Sequence, residues 1–111
     1  MATRSIPKAE WEQYFDRMSK EMPVANVEMS VEGLDLGHQY FASGIPLEGT
    51  TYDPASDMLT FFFEALAHNV AAPREVWVDE RQDGLHSLAV VDSDGHQQIV
   101  VFHELLKLPP A

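Results

Sequence analysis

Hydrophobic and polar positions form their clearest pattern near the C-terminus of the chain. Two largely apolar runs, 85–91 and 97–102, flank the sequence Asp92-Ser-Asp-Gly95. Short polar side chains that can bond the backbone, followed by a glycine that accepts positive φ, are typical of a tight turn. The segment therefore predicts a β-hairpin with residues 93–95 as its loop.

This loop sets the register of the hairpin, because it places Leu88 opposite Val100 and Ala89 opposite Ile99. Both faces of the resulting strand pair are largely apolar. Antiparallel strands show that pattern when both of their faces are covered. We therefore expect the rest of the chain, or a second subunit, to pack around this hairpin.

An amphipathic helix is predicted over residues 7–21. Pro7 suits the first turn of a helix, because its fixed φ is already helical and its missing N–H has no partner there in any case. Large apolar side chains follow at three- and four-residue spacing and form one stripe: Trp11, Tyr14, Phe15, Met18 and Met22. Such a stripe indicates that the helix packs on a sheet.

Short strands separated by turns are predicted between the helix and the hairpin. The run 24–32 alternates apolar and polar residues, which is typical of a half-exposed strand, and we place it toward an edge of the sheet. Pro46 cannot donate to a central ladder, so a bulge is expected within residues 44–49. Residues 65–73 fit a strand or a helical turn equally, and we predict only a connection there. Further strands are predicted over 38–43, over 58–64 after a turn at 53–57, and over 75–80.

One helix followed by about six strands, with no helix between strands, predicts the α+β class. We expect the N-terminal helix, 7–21, to lie on an antiparallel sheet or small curled barrel formed by the β-rich region, 24–103. The chain has 111 residues, which suits one domain, 1–111.

Composition narrows the possible environments and partners. The chain has no cysteine, which excludes disulfides and thiolate chemistry and fits a reducing cytoplasm. No run is long and apolar enough for a membrane span, and the N-terminus lacks the apolar core of a secretion signal. The net charge of −11 repels phosphate backbones and anionic membranes. We therefore expect a cytoplasmic protein that binds neither nucleic acid nor membranes.

Candidate chemistry is sparse. The five histidines do not show the spacing of metal ligands on a helix or strand face. Asp92 and Asp94 resemble part of a calcium loop, but the first and twelfth loop positions would be Val90 and Val101, which cannot ligate through their side chains. His68 lies in an apolar segment, where a buried imidazole would need a partner. The sequence predicts no catalytic residue, no cofactor and no metal site.

Several short motifs, in their order and spacing, resemble the domain of unknown function 5335 family. They are Trp11 with Tyr14-Phe15, Gly33-Leu-Asp-Leu-Gly37, Thr51-Tyr-Asp-Pro54, His68 followed by Pro73-Arg-Glu75, Leu88 with Val90-Val-Asp92, Asp94-Gly95, and Gln98-Ile99-Val100. The resemblance covers nearly the whole chain and implies a small bacterial cytosolic protein. It implies no activity, cofactor or catalytic residue.

Three functional hypotheses remain. The favoured one is a non-enzymatic, self-associating interaction or accessory protein. It would form a homodimer through an interface that includes Trp77 or the C-terminal leucines 105–108, because large apolar patches are rarely left uncovered. The alternative is a small-ligand-binding module whose pocket is lined by Phe62, His68 and Trp77. The least favoured is an enzyme that uses His68 with Glu64 or Asp79.

Overall fold

A computed structural model describes residues 3–21, 25–33, 35, 37–64, 66–82 and 84–106. A 3-10 turn, Lys8–Glu10, leads into the single α-helix of this part of the chain, α1 (Trp11–Glu21). The strands are β1 (Thr3–Ser5), β2 (Ala25–Gly33), β3 (Gly37–Asp53), β4 (Met58–Phe63), β5 (Leu66–Ala71), β6 (Pro73–Arg81), β7 (Gly84–Asp92) and β8 (Gln97–Leu106). No helix in the described residues is long and apolar enough to cross a membrane.

All eight strands join one sheet in the order β1-β6-β7-β8-β2-β3-β4-β5, and each pair of neighbours is antiparallel. The predicted hairpin is confirmed as β7 and β8 in the middle of the sheet, with Leu88 opposite Val100 and Ala89 opposite Ile99. Its turn is closed by a hydrogen bond from the Asp92 amide to the His96 carbonyl (3.0 Å). Gly95 lies in that turn with φ of 82°, which only glycine adopts without strain.

The predicted α+β class and the predicted barrel are both wrong. Over the described residues the fold is an antiparallel β-sheet of eight strands with one short helix, and the sheet is not closed into a barrel. Two strands were missed. Residues 66–71, predicted only as a connection, pair with β4, and residues 3–5 pair with β6. Both are edge strands. The three residues of β1 are too few to show an alternation, and in 66–71 the alternation of Leu66, His68 and Val70 competes with alanines that also suit a helical turn.

A corner between β5 and β6 bends the sheet. The single residue Ala72 joins these strands although they are not neighbours in the sheet. Ala72 has φ of 49° and Asp57 has φ of 52°, and the Ala72 amide donates to the Asp57 carbonyl (3.0 Å). The Asp57 carboxylate accepts a hydrogen bond from the Tyr52 hydroxyl (2.6 Å) and pairs with Lys8 (3.2 Å). Asp57 therefore ties this corner to the start of the helical segment.

The helix packs mainly on β3, and its apolar stripe is buried as predicted for Trp11, Tyr14, Phe15 and Met18, while Met22 lies outside the described residues. The Trp11 indole donates to the Ile6 carbonyl (2.7 Å) and meets the Tyr52 ring edge-on at 5.2 Å. Further along the helix, the Ser19 hydroxyl donates to the Thr50 carbonyl and accepts from the Thr50 amide.

Alternation along the strands separates an inner face, toward the helix, from an outer face. The buried hydrophobic side chains of the described strands are Val27, Met29, Leu47, Tyr52, Leu59, Phe61, Phe63, Val70, Val76, Val78, Leu85, Leu88, Val90, Val100 and Phe102. The predicted bulge is confirmed, because the register of β2 with β3 shifts at Gly44 and that of β3 with β4 shifts at Glu48. The predicted edge position of the 24–32 strand is wrong, since β2 lies between β8 and β3.

Candidate functional site

An apolar strip occupies the outer face of the three strands β6, β7 and β8. The register places Trp77, Ala89 and Ile99 in one row across these strands, and Val91 and Val101 lie on the same face in the rows beside it. Trp77 is 38% exposed and Val101 is 42% exposed. Ala89, Val91 and Ile99 are partly buried, and the main contacts of the helix are with β3 rather than with this strip.

The indole of Trp77 is held on the surface by its own strand. Its Nε1–H donates to the Glu75 carboxylate, two residues away, at 3.0 Å. Adjacent residues of a strand point to opposite faces and alternate residues share one, so the bond fixes the ring on the outer face. A fixed aromatic side chain loses less rotamer entropy on binding than a free one. Trp77 is therefore suited to be a contact residue.

Two of the acidic side chains beside the strip have an arginine or histidine neighbour within the chain. The Arg81 guanidinium contacts both oxygens of Asp79 (3.3 and 3.0 Å), and these hydrogen bonds hold the pKa of Asp79 below its usual value. The His103 imidazole lies 3.9 Å from the Glu28 carboxylate. Local pairing reduces the repulsion that a protein of net charge −11 would otherwise show at this face.

The three side chains predicted to line a ligand pocket are not brought together. Phe62 is exposed on the outer face of β4, and His68 is partly buried on the inner face of β5. Trp77 lies on β6, and β7, β8, β2 and β3 separate that strand from β4 in the sheet. Phe62 and Trp77 therefore do not lie on neighbouring strands. A pocket that joins them requires their strands, which follow closely in the sequence, to be adjacent in the sheet, whereas the connection at Ala72 leads to the other end of the sheet.

His68 lies beside an aromatic side chain. Its ring lies 6.5 Å from the ring of Phe61, which it faces across β4 and β5, and burial lowers its pKa. Of the two carboxylates considered as its partners, Glu64 is exposed at the turn after β4 and Asp79 is bonded to Arg81.

A polar cluster lies at the β7–β8 turn, where possible ligand atoms of Asp92, Asp94 and His96 fall within 4.8 Å of one another. The Asp92 carboxylate accepts from the amides of Asp94 (2.9 Å) and His96 (3.0 Å) and from the side-chain amide of Gln98 (3.2 Å). These bonds give Asp92 a structural role in closing the turn, in the manner of an Asx-turn.

His96 joins this turn to the preceding β2–β3 turn. Its Nε2 lies 2.9 Å from Asp35 Oδ1, and this contact raises the pKa of His96 and lowers that of Asp35. A Cβ on Gly33 would stand 2.5 Å from His96 Cδ2, so the pairing requires glycine there. Sequence reasoning identified both turns but missed their contact, because nothing in local spacing shows which turns share an end of the sheet.

A second polar feature missed from the sequence is a cleft beside the helix, lined by Arg4, Glu10, Gln13, Tyr14 and Arg17. The helix spacing of the last four residues was visible in the sequence. The position of Arg4 was not, because β1 was not predicted.

Comparison with known proteins identifies the family of this chain but indicates no activity. A family of unknown function, DUF5335, matches residues 2–111. An uncharacterised protein of Aquifex aeolicus is 36% identical over 110 residues, covering 98% of this chain and 99% of the relative. No solved structure matches the chain. As the resemblance of its motifs predicted, the chain belongs to the DUF5335 family, whose function is unknown.

Proposed function

We propose that this protein is a non-enzymatic interaction or accessory protein that pairs with a second copy of itself through the outer face of β6, β7 and β8. The main support for this proposal is the apolar strip around Trp77 and Val101, whose exposed fractions are 38% and 42%. Soluble proteins rarely leave a contiguous apolar surface in water unless it serves in binding.

The shape of the strip favours an identical partner. In one row of the sheet the large Trp77 lies directly beside Ala89, the smallest side chain of the strip. In a two-fold dimer each surface contacts its own copy, so the indole of one subunit can fill the space above Ala89 of the other. Because of the two-fold symmetry this contact occurs twice in the dimer. Each subunit contributes its own Trp77 ring and the space above its own Ala89.

The distribution of charge supports the same partner. The chain carries 18 acidic and 7 basic residues, so most approaches between two copies are repulsive. At the outer face, Asp79 is paired with Arg81 and Glu28 lies beside His103. Two copies that meet there bring together apolar strips at which part of the acidic charge is offset, while Glu75 bonds the Trp77 indole. The acidic excess also supports a protein partner over nucleic acid or anionic membranes, and the absence of cysteine supports a cytoplasmic location.

The first test is the molecular mass in solution, measured by light scattering or sedimentation from low to high micromolar concentration. We expect a dimer in the wild type and dissociation by Trp77→Glu, since a buried charge in place of a central aromatic costs about 2 kcal/mol or more, or roughly thirtyfold in dimer affinity. Phe62→Glu is the matched control, because Phe62 is an exposed aromatic of the same face, 42% exposed, outside the strip.

A second variant tests the fit between Trp77 and Ala89. Ala89→Trp keeps the strip apolar but fills the hollow, so it should also dissociate the dimer, whereas Ala67→Trp, at an exposed position on β5, should not. A wild type that stays monomeric at high micromolar concentration would refute self-association. If the Trp77 and Phe62 variants dissociate the dimer equally, the interface does not lie on the strip around Trp77.

A further inference from the structure

Three side chains with metal-binding atoms lie together at the end of the β7–β8 hairpin. A carboxylate oxygen of Asp92, a carboxylate oxygen of Asp94 and a ring nitrogen of His96 fall within 4.8 Å of one another. The spacing of the histidines does not indicate this cluster, because it takes one histidine and two aspartates from alternate positions around a tight turn. Only the folded turn shows that the three side chains meet.

The imidazole of His96 is oriented by a carboxylate outside this set. Its Nε2 lies 2.9 Å from Asp35 Oδ1, and its Nδ1 lies 3.9 Å from Asp92 Oδ2. When Nε2 carries the proton and donates it to Asp35, Nδ1 presents its lone pair to the aspartates of the turn. Metal-binding histidines usually donate their second ring N–H to a carboxylate in this way, which fixes the ring and makes the other nitrogen a stronger ligand.

A buried amide beside the turn offers a further ligand atom. Gln98 is 4% exposed, and its Oε1 is buried with no hydrogen-bond partner among the described residues. Its Nε2 lies 3.2 Å from Asp92 Oδ2, so Oε1, which is bonded to the same carbon, also lies at the cluster. A buried oxygen without a partner costs free energy, and a cation bound beside Asp92 would supply the partner.

The charges at this end of the sheet favour a cation. The groups that act on His96 are the carboxylates of Asp35, Asp92 and Asp94. In the described part of the chain, neither lysine nor arginine pairs with any of these three aspartates. The bond to Asp35, together with the three charges, raises the pKa of His96, which means that the site already favours a positive charge at the ring. A divalent cation gains from the same field.

We infer that the β7–β8 turn binds a zinc ion through His96 Nδ1 and one carboxylate oxygen each of Asp92 and Asp94. The amide oxygen of Gln98 is the fourth ligand, and Asp35 is the positioning residue for the imidazole. Zn²⁺ accepts histidine nitrogen and carboxylate oxygen together in a tetrahedral set. Ca²⁺ and Mg²⁺ prefer oxygen ligands throughout, and Mn²⁺ binds a given site of nitrogen and oxygen ligands more weakly than Zn²⁺.

This site is separate from the proposed self-association. None of its ligands belongs to the apolar strip around Trp77, so Trp77→Glu should leave the zinc affinity unchanged. A dimer that binds no zinc, or a monomer that binds it, would therefore decide the two proposals independently. Through His96 and Asp35 the bound ion would also link the β7–β8 turn to the β2–β3 turn.

The test is a calorimetric titration of the full chain, freed of metal by a chelator, with the chlorides of Zn²⁺, Mn²⁺, Mg²⁺ and Ca²⁺ at a slightly alkaline pH that keeps imidazole neutral. We expect one Zn²⁺ site per chain with micromolar affinity and weaker binding of the other three ions. In ¹⁵N NMR spectra of the histidine rings, saturation with Zn²⁺ should shift the Nδ1 signal of His96, which identifies the ligating atom.

Variants of the ligands assign the site. His96→Gln and Asp94→Asn each remove one ligand and should weaken Zn²⁺ binding by at least about tenfold, and Asp35→Asn, which removes only the orienting carboxylate, by about ten- to a hundredfold. His103→Gln is the matched control, because His103 also lies beside a carboxylate, that of Glu28 at 3.9 Å, but outside the cluster. It should change the zinc affinity by less than about twofold, as expected for a distant site.

Gln98→Leu tests the fourth ligand and should weaken Zn²⁺ binding by about tenfold, and an unchanged affinity would overturn that role of Gln98. Thermal unfolding checks that each variant folds, and if Gln98→Leu does not, the His96 and Asp94 variants decide the question. Three results would overturn the site itself: no saturable binding up to about 1 mM Zn²⁺, a weak affinity for any ligand; equal weakening by the His96 and His103 variants; or binding of Ca²⁺ or Mg²⁺ as tight as that of Zn²⁺.

Discussion

The two tryptophans of this chain lie on opposite sides of one sheet and make similar hydrogen bonds in different surroundings. Trp11 is 1% exposed and its indole donates to the Ile6 carbonyl at 2.7 Å, while Trp77 is 38% exposed and donates to the Glu75 carboxylate at 3.0 Å. The first is enclosed by the helix and the inner face. The second is held in place while its ring remains accessible.

The same contrast runs along the central strands. Val100 is fully buried, whereas its neighbour Val101 is 42% exposed. The sequence makes both faces of the hairpin apolar, and the part of the chain that the structure describes has one helix, which lies toward the inner face. We therefore expect the inner face to account for most of the stability, and the proposed self-association to use the outer face. This division can be tested by equivalent changes on the two faces.

The largest difference is expected between Trp11→Ala and Trp77→Ala. Removal of the buried ring leaves a cavity and an unpaired Ile6 carbonyl, so the free energy of unfolding should fall by about 3–5 kcal/mol, as for other buried aromatics. Removal of the exposed ring should cost less than about 1 kcal/mol in the monomer. Urea unfolding at low protein concentration measures both values. Similar losses for the two variants would show that the outer face is also part of the core.

A smaller difference is expected between Val100→Ala and Val101→Ala, two identical changes at adjacent positions of β8. Val100 packs on the inner face, and the loss of its methyl groups should reduce the free energy of unfolding by about 2 kcal/mol. The Val101 change should have little effect on unfolding of the monomer but should weaken self-association. If Val101→Ala destabilises the monomer as much as Val100→Ala, the assignment of the two faces is incorrect.

The contrast between the faces also shows which features the sequence could reveal. Local patterns identified the helix stripe, the turn at Gly95 and the pairing of Leu88 with Val100, because these depend on residues close together in the chain. Local patterns could not show that Ala72 forms a corner with positive φ. For the same reason the sequence placed Trp77 beside Phe62 and His68, and it did not reveal the edge strands β1 and β5.

The same difference between local patterns and distant contacts decided which candidate sites could be identified from the sequence. Trp77 was identified from the sequence because successive side chains of a strand point to opposite faces, which places Trp77 on the face away from Val76 and Val78. The cleft was not identified, because it requires Arg4 to lie beside helical residues 6 to 13 positions further along the chain, through a strand pairing that the short β1 does not signal. Contacts between distant segments are set by tertiary packing, which periodicity does not report.

The smallest expected effect concerns two histidines in contrasting positions, His68 on the inner face and His96 at the turn. Burial lowers the pKa of His68, while Asp35, with further contributions from Asp92 and Asp94, raises the pKa of His96. In an NMR titration of the ring protons, His68 should therefore titrate at lower pH than His96. The reverse order would contradict both environments.

These opposite pKa shifts predict that the free energy of unfolding changes with pH in opposite directions above and below pH 6.5, the ordinary pKa of histidine. A group with a raised pKa binds more protons in the folded state, so the stabilisation from His96 is full below pH 6.5 and is lost as the pH rises through its folded pKa. A group with a lowered pKa binds more protons when unfolded, so the protein loses stability as the pH falls from 6.5 through the folded pKa of His68. Urea unfolding between pH 5 and 8.5 should show that His96→Gln flattens the alkaline slope alone and His68→Gln the acid slope alone. An alkaline slope that survives in the His96 variant would mean that the contact with Asp35 does not stabilise the two turns in solution.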